Sequence, residues 1–226
     1  MARLLIIDTA LEEAIVAISK AGEIVAELSN KEAHSHASFI QVAIASLLEK
    51  QNMAIQDIDA IVVTLGPGSY TGLRVGLATA KGIAYAIQKP LIGLSTLAAL
   101  AYKAIQLVSK TSRSEFQFLP MIDARRMEVF GAIYDPQMNQ AIPEQALVLD
   151  QSQWDSLITK HTICIGNGTF KTKEFTSQFE ISYLEGHYTS KDLLEMAAEK
   201  LKNGQFEDLA YVSPNYLKEV YIIPAK

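Results

Sequence analysis

Two features in the first third of the chain have residue types suited to phosphate chemistry. Asp8 ends a short apolar segment, a position where nucleotide-binding α/β proteins often place a carboxylate for the metal ion of the nucleotide. A glycine-rich turn follows farther along, and its members are Gly66, Pro67, Gly68 and Gly72. Such turns let the backbone approach a ligand or another segment closely. Together these residues raise the hypothesis of a phosphotransferase.

The details of both features argue against that hypothesis. The turn lacks the Lys-Ser/Thr pair of a phosphate-binding P-loop and the spacing of the dinucleotide fingerprint. The segment after Asp8 has no glycine and adds Glu12 and Glu13, whose charges repel phosphate. Asp8 also has a structural interpretation, as a strand-end carboxylate that caps a turn. We leave both interpretations of Asp8 open.

The other polar residues offer few catalytic groups. His34 and His36 lie two residues apart before a helix, so they do not share a helical face as an i, i+4 metal pair would. Cys164 is the single cysteine, which excludes an internal disulfide and a multi-thiolate zinc site. Arg125 and Arg126 could bind a phosphate or a partner's carboxylate, or form an ordinary salt-bridged turn. The residues alone therefore predict no metal centre.

The composition is that of an ordinary α/β protein. Of the 226 residues 49% are hydrophobic and 20% are charged, enough apolar material for one large domain or two small ones. The net charge of −5 is the reverse of what a protein needs to hold nucleic acid unaided. No uncharged apolar stretch reaches membrane-spanning length, so we expect a cytoplasmic protein without a membrane segment.

A strand and a helix position the glycine turn. The β-branched run 58–65 predicts a buried strand, because the alternation of a half-exposed strand is missing. After the turn, apolar residues recur at helical spacing on one face, and they are Leu73, Leu77, Ala80, Ala84 and Ile87. The opposite face carries no charge, and its members are Val75, Thr79, Gly82 and Ala86.

The helix predicted over 36–50 also has a second stripe. Its core stripe is Ile40, Ile44 and Leu47, and the second stripe is Phe39, Val42, Ala43 and Ser46. Gly76 and Gly82 each cost about 1 kcal/mol in a helix relative to alanine, which is easiest to explain where another backbone packs close. We predict that the two helices pack together and bind a partner subunit through these faces. The alternative, burial of both faces within one domain, is left open.

The chain shows signs of an internal duplication. The first block has the predicted order βββαβαβα. Ile7-Asp8, Glu13 and Ala17-Ile18 match Ile122-Asp123, Glu128 and Ala132-Ile133 at a constant offset. A strand that runs into a G-x-G turn recurs at 163–168. We therefore predict two related α/β domains, 1–108 and 109–226, each a mixed sheet with helices.

Longer strings resemble a known family. TLGPGSYTGLRVGLATAKGIA and DARRMEVF resemble signatures of the TsaB (YeaZ) family, and IIDTA and PNYLK fit its two ends. The resemblance implies tandem actin, sugar-kinase and Hsp70-like (ribonuclease H-like) domains. It also implies a non-catalytic scaffold for the formation of threonylcarbamoyladenosine next to the anticodon of tRNAs. The expected partners are a catalytic paralogue, TsaD, and a P-loop ATPase, TsaE. The family gives Gly66, Pro67, Gly68, Gly72 and Arg74 a structural role.

The resemblance also bears on catalysis and cofactors. TsaD binds its metal through an H-x-x-x-H motif, and Thr96 and Leu100 fall where those imidazoles would be. Neither side chain holds a catalytic transition metal, so we expect no metal, no activity of the chain alone and no cofactor of its own. ATP or ADP at the junction of the complex, a homodimer in isolation and tRNA contact only through the complex are further expectations. The alternative is a stand-alone enzyme, either a small-molecule kinase or a glycoprotease-like metallopeptidase.

Overall fold

A computed structural model of the chain describes residues 2–31, 36–109 and 113–218. The candidate histidine His34 lies outside these ranges. Two five-stranded mixed sheets, each with helices, form the described part. No helix within these ranges has the length and apolar character needed to cross a bilayer. The predicted α/β class is confirmed.

The first sheet has the strand order β3-β2-β1-β4-β5. Its strands are β1 (Arg3–Asp8), β2 (Ala14–Lys20), β3 (Glu23–Asn30), β4 (Ala60–Gly66) and β5 (Leu91–Ser95). The first three form an antiparallel meander, whereas β4 pairs parallel with both β1 and β5. The central strands β1 and β4 are buried along nearly their whole length, which explains their continuous apolar sequence.

Three helices follow the strands of this first half. They are α1 (His36–Lys50), α2 (Tyr70–Ile87) and α3 (Thr96–Leu107). α2 begins three residues before Leu73, the first member of the predicted stripe, because the Ser69 hydroxyl caps the helix by accepting a hydrogen bond from the Gly72 N–H at 3.3 Å. Leu73, Leu77, Ala80 and Ala84 are buried, which confirms the predicted core stripe of α2.

The second sheet repeats the first. Its strands are β6 (Gln117–Asp123), β7 (Glu128–Tyr134), β8 (Gln140–Val148), β9 (Thr162–Ile165) and β10 (Ile181–Leu184), in the order β10-β9-β6-β7-β8. Strand directions correspond pair by pair to those of the first sheet. Gly66 and Gly166, which end the equivalent strands or follow them directly, both have φ of 105°. The predicted duplication is confirmed at the level of topology.

The division into domains differs from the predicted one. One compact unit contains Met1–Lys103 together with His187–Pro214, and the other contains Ala104–Gly186 and the chain from Asn215. The helix α5 (Ser190–Lys202) packs on the first sheet, where it contacts β5, β3 and β1. The predicted second domain, 109–226, therefore included a segment that belongs to the first unit. A capping box begins α5: Thr189 Oγ1 accepts from the Asp192 N–H, and the Asp192 carboxylate accepts from the Thr189 N–H.

The last turn of α5 and the segment after it cover the edge of the first sheet. The Glu207 N–H donates to the Leu91 carbonyl at 2.9 Å, and Lys200 Nζ donates to the Gly93 carbonyl at 2.7 Å. Farther along, Leu209 and Val212 pack against the apolar core. The open edge of β5 thus gains partners within its own unit, which protects it from pairing with other chains.

Cys164 lies in the core of the second unit. It is fully buried among apolar side chains, and burial raises the pKa of its thiol far above the ordinary value. The helix α4 (Gln151–Leu157) closes this core with the buried Trp154. A thiolate reaction at Cys164 therefore requires the unit to open.

We expect Cys164 to react with a disulfide reagent about a hundredfold more slowly in the native chain than in denaturant. The control is Ser152→Cys, which adds a thiol at an exposed position of α4 in the same unit and should label at once. The measurement is the release of the coloured thiolate over time. Equal rates for Cys164 in the native and unfolded chains would contradict the buried placement.

Candidate functional site

The glycine turn packs directly against the loop between β1 and β2. The Ser69 N–H donates to the Ala10 carbonyl at 2.7 Å, and Thr9 Oγ1 donates to the Gly72 carbonyl at 2.7 Å. A Cβ added at Gly68 would lie 2.1 Å from the Ala10 carbonyl oxygen, and one at Gly72 would lie 2.1 Å from the Thr9 carbonyl oxygen. The glycines are therefore needed for contact with the chain's own backbone.

The three other residues predicted for the structural signature, Gly66, Pro67 and Arg74, and the nearby Gly76 have local roles in the turn or helix. Gly66 has a positive φ, and the Gly66-Pro67 peptide bond is cis. A Cβ at Gly76, one turn into α2, would lie 2.2 Å from Thr9 Oγ1. The Arg74 guanidinium lies 3.9 Å from the centre of the Tyr70 ring, a cation–π contact on the helix surface.

Asp8 is a buried structural carboxylate. Its side chain accepts hydrogen bonds from Thr64 Oγ1 at 2.7 Å and from the Ala10 N–H at 3.0 Å, and the residue is 2% exposed. A capped turn of this kind is the structural interpretation left open by the sequence. Both hydrogen bonds reach Oδ1 of the buried carboxylate, and the nucleotide contact suggested for Asp8 stays a prediction.

Two further hydroxyls lie beside Asp8 in the first unit. Burial raises the pKa of the Tyr188 hydroxyl well above its ordinary value, and the Asp8 carboxylate adds to the rise. The hydroxyls of Tyr188 and Thr96 are both buried, and neither meets a strict hydrogen-bond geometry within the described part of the chain. The Tyr188 hydroxyl nevertheless lies near the Asp8 carboxylate and the Thr96 hydroxyl, since both contacts act on its pKa. Sequence analysis did not find Thr64 or Tyr188, because no motif marks a lone hydroxyl.

The positions that correspond to metal ligands in the resemblance are closed to solvent. Thr96 begins α3 and Leu100 lies one turn later, and both are fully buried. Among the described residues, no group of three His, Cys, Asp or Glu side chains could hold a metal ion. A transition metal at Thr96 and Leu100 would find one hydroxyl and one alkyl group, which do not fit such an ion.

The outer side of α2 is exposed, with a boundary that differs from the predicted one. Gly82 and Ala86 are exposed, and no atom would lie within 4 Å of a Cβ at Gly82. Val75 and Thr79 are half-buried, and Thr79 Oγ1 accepts from Gln41 Nε2 of α1 at 3.4 Å. The predicted contact between the two helices is confirmed. The close approach predicted at Gly82 is not made by any described residue of this chain.

The prediction that Ala43 of α1 faces a partner was wrong. Ala43 is 1% exposed and lies in the core beside Ile40 and Ile44, because the core stripe of α1 is wider than predicted. Phe39 is half-buried and packs against the same core. Val42 is 69% exposed, and Ser46 is exposed as well.

We define the α1–α2 surface as five exposed residues of these helices. Its members are Val42, Ser46, Gly82, Tyr85 and Ala86. Tyr85 is 79% exposed and was not among the predicted interface residues. None of the five side chains carries a charge, although the exposed Glu49 and Arg74 lie at helical spacing from Val42 and Tyr85. An exposed patch that contains a large aromatic is typical of a protein interface.

The turn between β6 and β7 holds a second group of predicted residues. Asp123 Oδ1 accepts from the Arg125 N–H at 2.8 Å and pairs closely with Lys171 Nζ. Lys171 Nζ also donates to the Glu128 carbonyl at 2.8 Å. Sequence analysis did not find Lys171, because it approaches the turn from a short 3-10 helix, Thr169–Thr172, far away in sequence.

These contacts set the ionisation of Asp123. Burial raises the pKa of its carboxyl, but the hydrogen bonds from Lys171 and the Arg125 N–H outweigh that effect, so the pKa lies below its ordinary value. A carboxyl whose pKa falls on folding stabilises the native state above the pKa of the unfolded chain. That contribution is lost as the pH falls through the lower, native-state pKa.

We therefore expect Asp123→Asn to be less stable than the parent chain at pH 7, with a Tm difference of about 2 °C because the pair is partly exposed. The difference should shrink below about pH 4, where the unfolded carboxyl takes up its proton. Tm values across a pH series measure it. Glu174→Gln, at an exposed acid of the same unit, is the control. A difference that does not change with pH would contradict the ion pair.

Comparisons with known proteins agree with this fold. The family model described as TsaD, tRNA N6-adenosine threonylcarbamoyltransferase, matches residues 9–219. The tRNA threonylcarbamoyladenosine biosynthesis protein TsaB of Escherichia coli K12 is 28% identical over 96% of this chain and 94% of its own. The TsaB protein of Bacillus subtilis is 32% identical over 65% of this chain and 62% of its own.

A solved structure of a YeaZ protein has the same fold as this chain. YeaZ from Pseudomonas aeruginosa superposes with a TM-score of 0.78 at 26% identity, and the match covers 96% of this chain and all of the other. The chain therefore belongs to the TsaD family of tRNA N6-adenosine threonylcarbamoyltransferase proteins, within its TsaB (YeaZ) group.

Proposed function

We propose that the chain is a non-catalytic subunit of the machinery that forms threonylcarbamoyladenosine on tRNA. The observation that carries this proposal is the pair of buried residues Thr96 and Leu100, in a chain whose family model is named for the transferase. The chain has the fold of that family without side chains that could bind the catalytic metal at these positions. The names of the TsaB relatives support the tRNA pathway.

The α1–α2 surface supports the choice of partner. A catalytic paralogue of the same family presents equivalent helices, so two related helix pairs could pack into one bundle. The small residues Gly82, Ala86 and Ser46 would let the helix axes approach closely, and Tyr85 and Val42 would supply apolar area. A stable interface of standard size buries about 800 Å² on each partner. In the absence of the paralogue, the same surface would join two copies of this chain.

The remaining components follow from the same proposal. The chain's own glycine turn is occupied by its own backbone at Thr9 and Ala10, so ATP or ADP would bind at the junction of the complex and not at this turn. A TsaE-like P-loop ATPase would join the complex there. The net charge of −5 fits a subunit that meets tRNA only within an assembly.

Reconstitution tests this function. The chain, the TsaD-like paralogue and the TsaE-like ATPase of the same genome are purified and assayed for transfer of threonylcarbamoyl to unmodified tRNA. We expect transfer only when the chain and the paralogue are both present, and none from the chain alone. ATP turnover or peptide cleavage by the chain alone would favour the alternative, a small-molecule kinase or a glycoprotease-like metallopeptidase. Full transfer without the chain would overturn the proposal.

A further inference from the structure

The chain after α5 forms a turn that lies against α2. We call it the 208–212 turn. The Asp208 carbonyl accepts hydrogen bonds from the N–H groups of Tyr211 at 3.2 Å and Val212 at 2.8 Å. Val212 packs against the apolar core of the first unit, and its carbonyl accepts from Lys81 Nζ of α2 at 3.2 Å. The backbone of the turn is therefore fixed by its own hydrogen bonds, by the core and by α2.

Tyr211 extends from this fixed backbone into solvent. The residue is 85% exposed. An aromatic ring in water adds little to the stability of its own chain, because it buries little apolar area. A tyrosine ring also has few rotatable bonds, so fixing it in a complex costs little conformational entropy. Tyr211 thus has the properties of a preformed anchor for another protein.

The 208–212 turn and α1 lie on opposite flanks of α2. Thr79 contacts α1, and Lys81 contacts the turn. Two residues turn an α-helix by about 200°, so these contacts bound the outer side of α2 from both directions. The exposed Gly82 and Tyr85 lie between the two flanks, and Tyr85 follows Lys81 by about one turn of the helix. The α1–α2 surface therefore continues toward the 208–212 turn.

The size of the α1–α2 surface also indicates an extension. A stable interface of standard size takes about 20 to 30 residues and buries about 800 Å² on each partner. The α1–α2 surface has five members, and Ser46, Gly82 and Ala86 among them are small. A large aromatic side chain buries about 150 to 250 Å². Tyr85 and Tyr211 together would supply about half of the standard area.

We propose that the 208–212 turn, with Tyr211 as its anchor, is the second part of the surface that binds the catalytic paralogue. The inference rests on the proposed function, which supplies that partner. The paralogue then contacts three elements of this chain, which are α1, α2 and the turn. The contact through Lys81 keeps the turn beside α2, so the three elements meet the partner as one surface.

The decisive variant is Tyr211→Ala. The ring is exposed in the isolated chain, so we expect the Tm to stay within about 2 °C of the parent value. The affinity for the purified paralogue should fall about 30-fold, the loss typical of a tyrosine that is a hot spot of an interface. Calorimetric titration of the paralogue with the full chain measures this change.

Two further variants separate the role of the ring from other effects. Tyr211→Phe keeps the ring, and it should bind the paralogue within about threefold of the parent affinity. Phe170→Ala removes an exposed ring from the second unit, and it should leave the affinity unchanged. Hydroxyl-radical labelling gives a second measurement: the Tyr211 ring should be labelled in the isolated chain and protected in the complex.

The outcomes distinguish this inference from the proposed function. If the parent chain binds the paralogue and Tyr211→Ala binds it with the same affinity, the inference is wrong and the proposed function stands. If Tyr211→Ala weakens only the self-association of the isolated chain, the turn joins two copies of this chain and the inference is again wrong. If the parent chain forms no complex with the paralogue, the proposed function fails and the inference fails with it.

Discussion

Replacing Gly72 by alanine is expected to destabilise the chain by about 3 kcal/mol, whereas the same change at Gly82 in the same helix should stabilise it by about 1 kcal/mol. A Cβ at Gly72 would lie 2.1 Å from the backbone oxygen of Thr9, so the loop between β1 and β2 must move. A Cβ at Gly82 meets no atom within 4 Å, and only the gain in helix propensity is left. The pair thus compares one substitution in two environments of one helix.

Thermal unfolding measures both changes. For a chain of this size we expect Tm to fall by about 6 to 12 °C for Gly72→Ala and to rise by about 2 to 4 °C for Gly82→Ala. Gly22→Ala, at another position where no atom lies within 4 Å but φ is 86°, separates backbone strain from steric contact and should lower Tm by less than Gly72→Ala. A Gly72→Ala variant with the parent Tm would show that the loop is not packed against the turn.

The second prediction with a large expected effect concerns binding of this chain to a partner subunit. Gly82→Arg should leave the isolated chain folded, because the position is open and arginine favours a helix. If the α1–α2 surface binds the catalytic paralogue, an added charge at its centre should weaken the complex by about 3 to 5 kcal/mol, which is more than a hundredfold in affinity. Size-exclusion chromatography with light scattering and calorimetric titration measure the two quantities.

The matched control is Ala198→Arg, which adds the same charge at an exposed position of α5 in the same unit. It should leave both folding and association intact. Loss of folding in Gly82→Arg would mean that this face is internal. Parent affinity in Gly82→Arg would place the interface elsewhere.

The apolar patterns in the sequence predicted most helices and strands, but they did not predict which of the two compact units each helix joins. The start of α5 is readable from the sequence, since the capping box of Thr189 and Asp192 is a local signal. The sheet that α5 covers could not be predicted, because Leu193, Leu194 and Ala197 define an apolar stripe without identifying its counterpart. The predicted boundary at 108 therefore missed the return of the chain to the first unit.

The candidate site shows a similar limit. Glycines at 68 and 72 correctly indicated close backbone approach, but the sequence did not say whether a ligand or the chain itself approaches. The loop at Thr9 and Ala10 fills that space, which only the structure shows. On α1, Val42 lies on the surface and the next residue, Ala43, lies in the core. Apolar periodicity alone does not locate the boundary between two consecutive residues of a helix.

The late position of α5 in the chain has a consequence for biosynthesis. The first sheet is complete once β5 has left the ribosome, but the helix that covers it begins only after the 94 residues of 96–189. At about 5 to 20 residues per second, the apolar face waits roughly 5 to 19 s for its cover. During that interval the nascent chain exposes an incomplete core, and it is a natural client for ribosome-associated chaperones.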